Sequence, residues 1–148
     1  MLISDIMTPS TAIVTARDTD TVRKALLLLE DQEIRHLPVI DDERRLVGLV
    51  SDRDLREYRL PVIEEIENPD QADDLLDTPL SEVMSSDVIS VDASEGVAAA
   101  IDLIIEYRVG ALPVLDQTTE ELVGIVSYID LLRLTRDLLG ADEEESED

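Results

Sequence analysis

Apolar residues run through the chain in two matching series. Val22, Ala25, Leu26 and Leu29 fall at helical spacing behind Thr19 or Asp20, and Val97, Ala100, Ile101 and Ile104 repeat that spacing behind Asp92 or Ser94. Each set predicts an amphipathic helix with a polar cap. After each helix come two apolar runs that read as strands: HLPVI from His36 and then LVGLVS, ALPVL from Ala111 and then LVGIVS. The short polar turns between them, DDERR and DQTTEE, predict antiparallel pairs. The proline near the start of each LPV run points to an edge or strand-entry position. Ahead of each helix a short β-branched run, Ile13 to Thr15 or Val88 to Ser90, predicts one more strand. Ahead of that, ISDIM is echoed by LSEVM, and each predicts about one helical turn. A second helix follows each pair of strands, through Leu55 in the first series and through Leu131, Leu132, Leu134, Leu138 and Leu139 in the second.

The two series are an internal duplication. GLVSDRD at Gly48 to Asp54 returns as GIVSYID at Gly124 to Asp130, an offset of 76 residues, and Leu37-Pro38-Val39 returns as Leu112-Pro113-Val114, an offset of 75. Neither copy alone is large enough to bury a good core, so two copies of one unit are expected to pack together. The fold expected is α/β (α+β), with tandem β-α-β-β-α repeats as a pseudo-two-fold pair. Residues 1–60 form the first repeat and 80–140 the second. Residues 61–79 form an acidic linker, partly helical and broken at Asn68 and Pro69. Residues 141–148, with no apolar side chain beyond Ala141, form an acidic tail expected to be disordered.

Composition narrows the chemistry. The 148 residues are 44% hydrophobic but contain no Phe, Trp or Cys and only three Tyr, so the core is aliphatic. Without cysteine there is no disulfide, thiolate catalysis or cysteine zinc site, and a single histidine excludes a multi-histidine metal site. The start has no signal-peptide pattern, and no apolar run approaches membrane-spanning length, so a cytoplasmic protein without membrane attachment is expected. A net charge of −24 argues against nucleic-acid binding. Only one of the twelve basic residues, Lys24, is lysine. The acidity together with this arginine bias suggests a halophilic protein, because molar salt shortens the Debye length to about 3 Å.

The repeated S-x-x-D of Ser51 and Asp54, and of Ser127 and Asp130, is a helix capping box. Its recurrence after a Gly-containing strand suggests a further role. A helix N-terminus suits a phosphate, a neighbouring carboxylate can bind both ribose hydroxyls, and the apolar pairs Ile13-Val14 and Val88-Ile89 suit an adenine face. The doubled pattern resembles a CBS-domain pair, or Bateman module, across nearly the whole chain apart from the linker and tail. The family signature is Gly, two apolar residues, Ser or Thr, any two residues, then Asp or Asn. Both copies match it in full. The layout is also similar to small stand-alone pairs of the acetoin-utilisation regulator type.

The resemblance implies two clefts that bind adenosine nucleotides (AMP, ADP or ATP) or S-adenosylmethionine reversibly, with no covalent cofactor. One cleft would use Ser51, Asp54, Arg35, His36 and Arg53, with Val88 and Ile89 as the apolar wall. The other would use Ser127 and Asp130 with Ile13 and Val14, and has Gly110 and Ala111 in place of Arg35 and His36. Cations for a phosphate are therefore concentrated in the first, although Asp52 stands next to Arg53 as a possible neutralising partner. No nucleophile-base pair, metal cluster or Gly-rich phosphate loop is visible. The function expected is a non-enzymatic regulatory module that senses an adenosyl ligand and acts as a homodimer on an unidentified target protein. The alternative is a structural dimerisation module with empty or degenerate clefts. A carboxylate-metal hydrolase or carrier fits less well, because the acidic residues lack metal-ligand spacing.

Overall fold

The computed structural model describes the backbone of residues 1–147 and the side chains of residues 1–143. In chain order the elements are α1 (Ile3–Ile6), β1 (Thr8–Pro9), α2 (Val22–Asp31), β2 (His36–Ile40), β3 (Leu46–Ser51), α3 (Asp52–Leu55), α4 (Val62–Glu67), α5 (Pro69–Leu76), β4 (Val91–Asp92), α6 (Val97–Tyr107), β5 (Ala111–Leu115), β6 (Leu122–Ser127) and α7 (Tyr128–Glu147). The chain divides into two compact units, one of Val14–Val88 and one of Met1–Ile13 with the residues from Ile89 onward. These divisions differ from the sequence copies. The ISDIM segment belongs to the unit of the second copy and LSEVM to that of the first.

In the Val14–Val88 unit, β2 and β3 form an antiparallel pair with an irregularity between Val39 and Ile40. Ile13 to Thr15 form no strand; the parallel contact to β2 is made one residue later, by Ala16 with Val39. The α2 cap is also shifted. Thr21 Oγ1 accepts from Lys24 N at 3.2 Å, whereas Asp20 closes the preceding turn by accepting from Arg17 N at 2.8 Å. Val22, Ala25 and Leu29 turn inward onto Leu37, Val39, Val50, Leu55 and Leu80. Each fully buried Leu or Val stabilises the unit by about 1.5–3 kcal/mol relative to exposure. In the linker, α4 and α5 are separated at Asn68, whose φ of −130° and ψ of 65° break the helix ahead of Pro69.

In the other unit the sheet order is β1-β6-β5-β4. β4 begins at Val91, so the expected strand at Val88 to Ser90 lies too early. The Asp92 backbone N–H donates to Glu95 Oε1 at 3.1 Å and Asp92 Oδ1 accepts from Ser94 N at 2.8 Å, so these residues build the turn and leave Gly96 as the cap of α6. Strand β5 is internal, which corrects the edge expectation for its proline. Pro113 is tolerated because the pairing of β5 with β4 starts only at Val114. The core is Ile3, Val91, Val97, Ala100, Leu112, Val114, Val126 and Leu131.

Residues 141–147 were expected to be disordered but continue α7; Asp148 lies outside the described residues. Alanine and glutamate are strong helix formers, so the segment can extend a helix already nucleated at Tyr128.

The net charge of −24 makes a further expectation. At about 0.01 M salt the Debye length is roughly 30 Å and the carboxylates repel across the whole chain. The thermal midpoint should rise from dilute buffer to molar salt by about 5 °C or more. Equal midpoints in the two conditions would refute a salt-adapted protein.

Candidate functional site

The signature residues come together because of how each hairpin ends. His36 stands opposite Ser51 in the β2–β3 ladder, and Asp52 N donates to Arg35 O at 2.9 Å just beyond it. Arg35 and His36 are thereby fixed beside Ser51 and the start of α3. In the second copy Ala111 stands opposite Ser127, and Tyr128 N donates to Gly110 O at 3.1 Å. The duplication therefore extends to this backbone bond, while the side chains it positions differ.

Both S-x-x-D motifs form the capping box. Ser51 Oγ accepts from Asp54 N at 3.2 Å, and Asp54 Oδ2 accepts from Ser51 N at 2.9 Å. Ser127 and Asp130 repeat both bonds at 3.2 and 2.9 Å. Capping occupies one carboxylate oxygen in each case. Oδ1 of Asp54 and of Asp130 accepts no hydrogen bond among the described residues. The two boxes differ in one bond: Ser127 Oγ also donates to Asp130 Oδ2 at 3.1 Å, and the Ser51 hydroxyl makes no such bond to Asp54.

The charges differ more. Among the described residues, Arg35 and Arg53 are exposed and form no ion pair. Asp52, expected as a neutralising neighbour of Arg53, pairs instead with Arg56 at 3.6 Å. His36 is half-buried. Burial pushes its pKa below the usual 6.5, the nearby Asp54 charge opposes that, and Arg35 adds to it, so the imidazole is neutral near pH 7. At the corresponding positions of the other unit, Gly110 and Ala111 carry no charge and Ile129 is apolar.

The apolar residues divide between the units. Val88 belongs to the unit that holds Ser51 and Asp54, and Ile13 to the unit that holds Ser127 and Asp130. Val14 packs against the core of the Asp54 unit and Ile89 against the core of the Asp130 unit. Among the described residues, no group of three His, Cys, Asp or Glu could hold a metal ion, and no helix is long and apolar enough to cross a membrane.

The glycine of each signature has a packing role that the motif alone did not disclose. A Cβ on Gly48 would lie 2.5 Å from Met84 Sδ, and one on Gly124 would lie 2.5 Å from Met7 Sδ and 2.9 Å from the Thr8 carbonyl oxygen. The methionines that end ISDIM and LSEVM thus rest on the glycines of the copy to which they do not belong in sequence. The repeated methionine was the available signal.

The CBS domain model matches residues 3–61 and 80–137, and the chain belongs to that family. A CBS domain-containing protein of Dictyostelium discoideum is 33% identical over 135 residues, which cover 90% of each chain. Among solved structures, AcuB of Vibrio cholerae, a protein named for acetoin utilization, is 31% identical with a TM-score of 0.76, covering 97% of this chain and 96% of its own. CBSX2 of Arabidopsis thaliana, solved in complex with AMP, is 28% identical with a TM-score of 0.76, covering 93% and 97%. The CBS domain pair of protein MJ0100, in complex with 5'-methylthioadenosine and S-adenosyl-L-methionine, is 25% identical with a TM-score of 0.72, over the same shares. Several curated relatives are longer. The chain spans 21% of an inosine-5'-monophosphate dehydrogenase of Methanocaldococcus jannaschii and 23% of a homoserine O-acetyltransferase of Methanocorpusculum labreanum.

Proposed function

We propose that this chain is a non-catalytic regulatory module that binds an adenosine nucleotide or related adenosyl ligand, with the stronger site on the Val14–Val88 unit. The observation that carries this reading is the conjunction at the end of the first hairpin. Asp54 has a free Oδ1 for a ribose hydroxyl, and Arg35 and Arg53 stand unpaired beside it in a chain of charge −24. Seven of the twelve basic residues are engaged in ion pairs. Two that are not flank one capping serine, where they can hold phosphate oxygens by charge-assisted hydrogen bonds. AMP bound to CBSX2, and the adenosyl ligands bound to MJ0100, support the ligand class. Val88 would contribute an apolar wall and His36 a switchable charge. The weaker site would use Ser127, Asp130 and Ile13, with the uncharged backbone of Gly110 and Ala111.

The test is a thermal-shift panel of AMP, ADP, ATP, NAD and S-adenosylmethionine at high salt. A ligand that binds only the native state raises its midpoint, by about 2.7 kcal/mol of stabilisation at a hundred times Kd. No shift with any of the five would favour a structural module with degenerate sites, a reading to which the uncharged Gly110 and Ala111 lend some weight.

His36 gives this reading a pH dependence. Its folded pKa lies below its unfolded value of 6.5, so the unfolded chain binds more protons there. Its contribution to stability is present above pH 6.5 and is lost as pH falls through the folded pKa. A bound phosphate favours the protonated ring and reverses the preference. ATP affinity should therefore rise as pH falls below about 6.5, and His36→Gln should flatten that rise. Calorimetry at several pH values checks it; an unchanged slope in His36→Gln would exclude His36 from the phosphate site.

The module is further proposed to be a homodimer. The α6 and α7 surfaces leave Ile105 and Tyr107, and Leu132, Leu138 and Leu139, between 52% and 70% exposed. An isologous contact would cover these side chains. Light scattering in molar salt should return twice the chain mass; a monomer at micromolar concentration would contradict it.

A further inference from the structure

The linker between the two sequence copies packs on α2 of the Val14–Val88 unit and builds a surface there. Between α2 and the α4–α5 pair runs an open groove of about 330 Å³. Its lining includes Leu26, Leu27 and Leu76, and Leu27 is 55% exposed. α4 buries none of its own residues and leaves Val62, Ile63 and Ile66 between 67% and 75% exposed. Of these exposed side chains Leu27 lines the groove, and Val62, Ile63 and Ile66 lie on α4 outside its lining. Single exposed aliphatic residues need no explanation, but several on the helices that flank one groove mark an interaction surface.

The charges around the groove decide its occupant. Residues 61–79 carry seven carboxylates and no Lys or Arg. The two arginines that line the groove are already engaged, Arg23 with Asp73 and Asp77 at 3.2 and 3.4 Å and Arg59 with Glu65 at 3.7 Å. Glu30 lines it without an ion pair among the described residues. A second copy placed two-fold on this face would set carboxylates against carboxylates, which disfavours self-association here. We propose that the groove docks a basic amphipathic segment of a partner protein, with the partner's aliphatic side chains on Leu26, Leu27 and Leu76 and its Lys or Arg residues on the acidic rim. This inference is independent of the nucleotide site.

The probe is a synthetic helical peptide of about 18 residues, with Leu at i, i+3, i+4 and i+7 positions and Lys elsewhere, read by fluorescence anisotropy with the full chain. A scrambled peptide of the same composition reports the general attraction of any cation to an acidic protein. The amphipathic peptide should bind about tenfold tighter than the scrambled one. Leu27→Ser changes no charge and alters an exposed residue, and it should remove that margin, whereas Leu2→Ser, at an exposed residue of the other unit, should keep it. Glu30→Lys should weaken binding more than Glu106→Lys on α6. Equal binding of the two peptides, or a margin that survives Leu27→Ser, would overturn the proposal. Conversion of a dimer to a monomer by Leu27→Ser would also overturn it, by making the face a self-interface.

Discussion

Gly124→Ala should destabilise the chain by about 2–3 kcal/mol, a fall in thermal midpoint of roughly 5–10 °C, and Gly48→Ala by about 1 kcal/mol. The two positions are equivalent in the signature, so the difference lies in what each new methyl group meets. At Gly48 the three nearest atoms all belong to the Met84 side chain, with Sδ at 2.5 Å, Cγ at 2.8 Å and Cβ at 3.1 Å. A methionine has three rotatable bonds and can withdraw. At Gly124 the methyl group also meets the Thr8 carbonyl oxygen at 2.9 Å, and Thr8 and Pro9 are the residues through which β1 pairs with β6. Backbone held in a ladder cannot withdraw without breaking the pairing. Shortening the methionine separates the two cases. Met84→Ala should recover most of the loss in Gly48→Ala, whereas Met7→Ala should recover only part of the loss in Gly124→Ala. Equal losses at the two glycines, or full recovery by Met7→Ala, would show that the Thr8 backbone is not the obstacle.

The hairpins and the long helices were legible in the sequence because the duplication supplied each signal twice. A lone S-x-x-D is a capping box and no more, but two copies at matching places behind Gly-containing strands marked the end of β3 and β6 as special. At the level of atoms the box forms, and it uses one oxygen of each Asp, so the capping reading holds and the other oxygen is left open. The short strands were misplaced for a physical reason. Ile13 to Thr15 and Val88 to Ser90 have strand-like residues, but pairing falls where a partner is within reach, at Val39 for Ala16 and at Val114 and Leu115 for β4. The helix caps were ambiguous because Thr19, Asp20 and Thr21 are three cap formers in succession. Only the turn closed by Asp20 on Arg17 decides among them. The placing of ISDIM and LSEVM was not legible at all, since sequence similarity identifies the copy a segment descends from and not the core it packs against. In the tail, composition argued for disorder while helix propensity argued for extension of α7, and the second prevailed through residue 147.

Titration with ATP should find one site that is tighter than the other, and Asp54→Ala should weaken it by about 10- to 100-fold while Asp130→Ala changes it by less than about twofold. The reason is electrostatic. A multiply charged phosphate approaching a chain of charge −24 is repelled at long range, so the cations beside the carboxylate proposed to bind ribose would determine whether it stays. Arg35 and Arg53 supply them near Asp54, and Gly110 and Ile129 occupy the matching positions near Asp130. Arg35→Ala should accordingly weaken ATP about tenfold and adenosine by less than about twofold, because adenosine carries no phosphate. Asp54 also caps α3, so loss of the cap has to be separated from loss of a ligand contact. Ser51→Ala removes the bond to Asp54 N at a cost of about 1 kcal/mol in stability and leaves the carboxylate in place. Asp54→Asn keeps a side-chain oxygen for Ser51 N and removes the charge. If ribose recognition is the role of Asp54, Asp54→Asn should lose affinity with little loss of stability, and Ser51→Ala should show a smaller loss of affinity than Asp54→Ala. Equal affinity losses for Ser51→Ala and Asp54→Ala would mean that the carboxylate acts only through the cap. Loss of the tighter site in Asp130→Ala but not in Asp54→Ala would reverse the assignment and remove the case for the arginines.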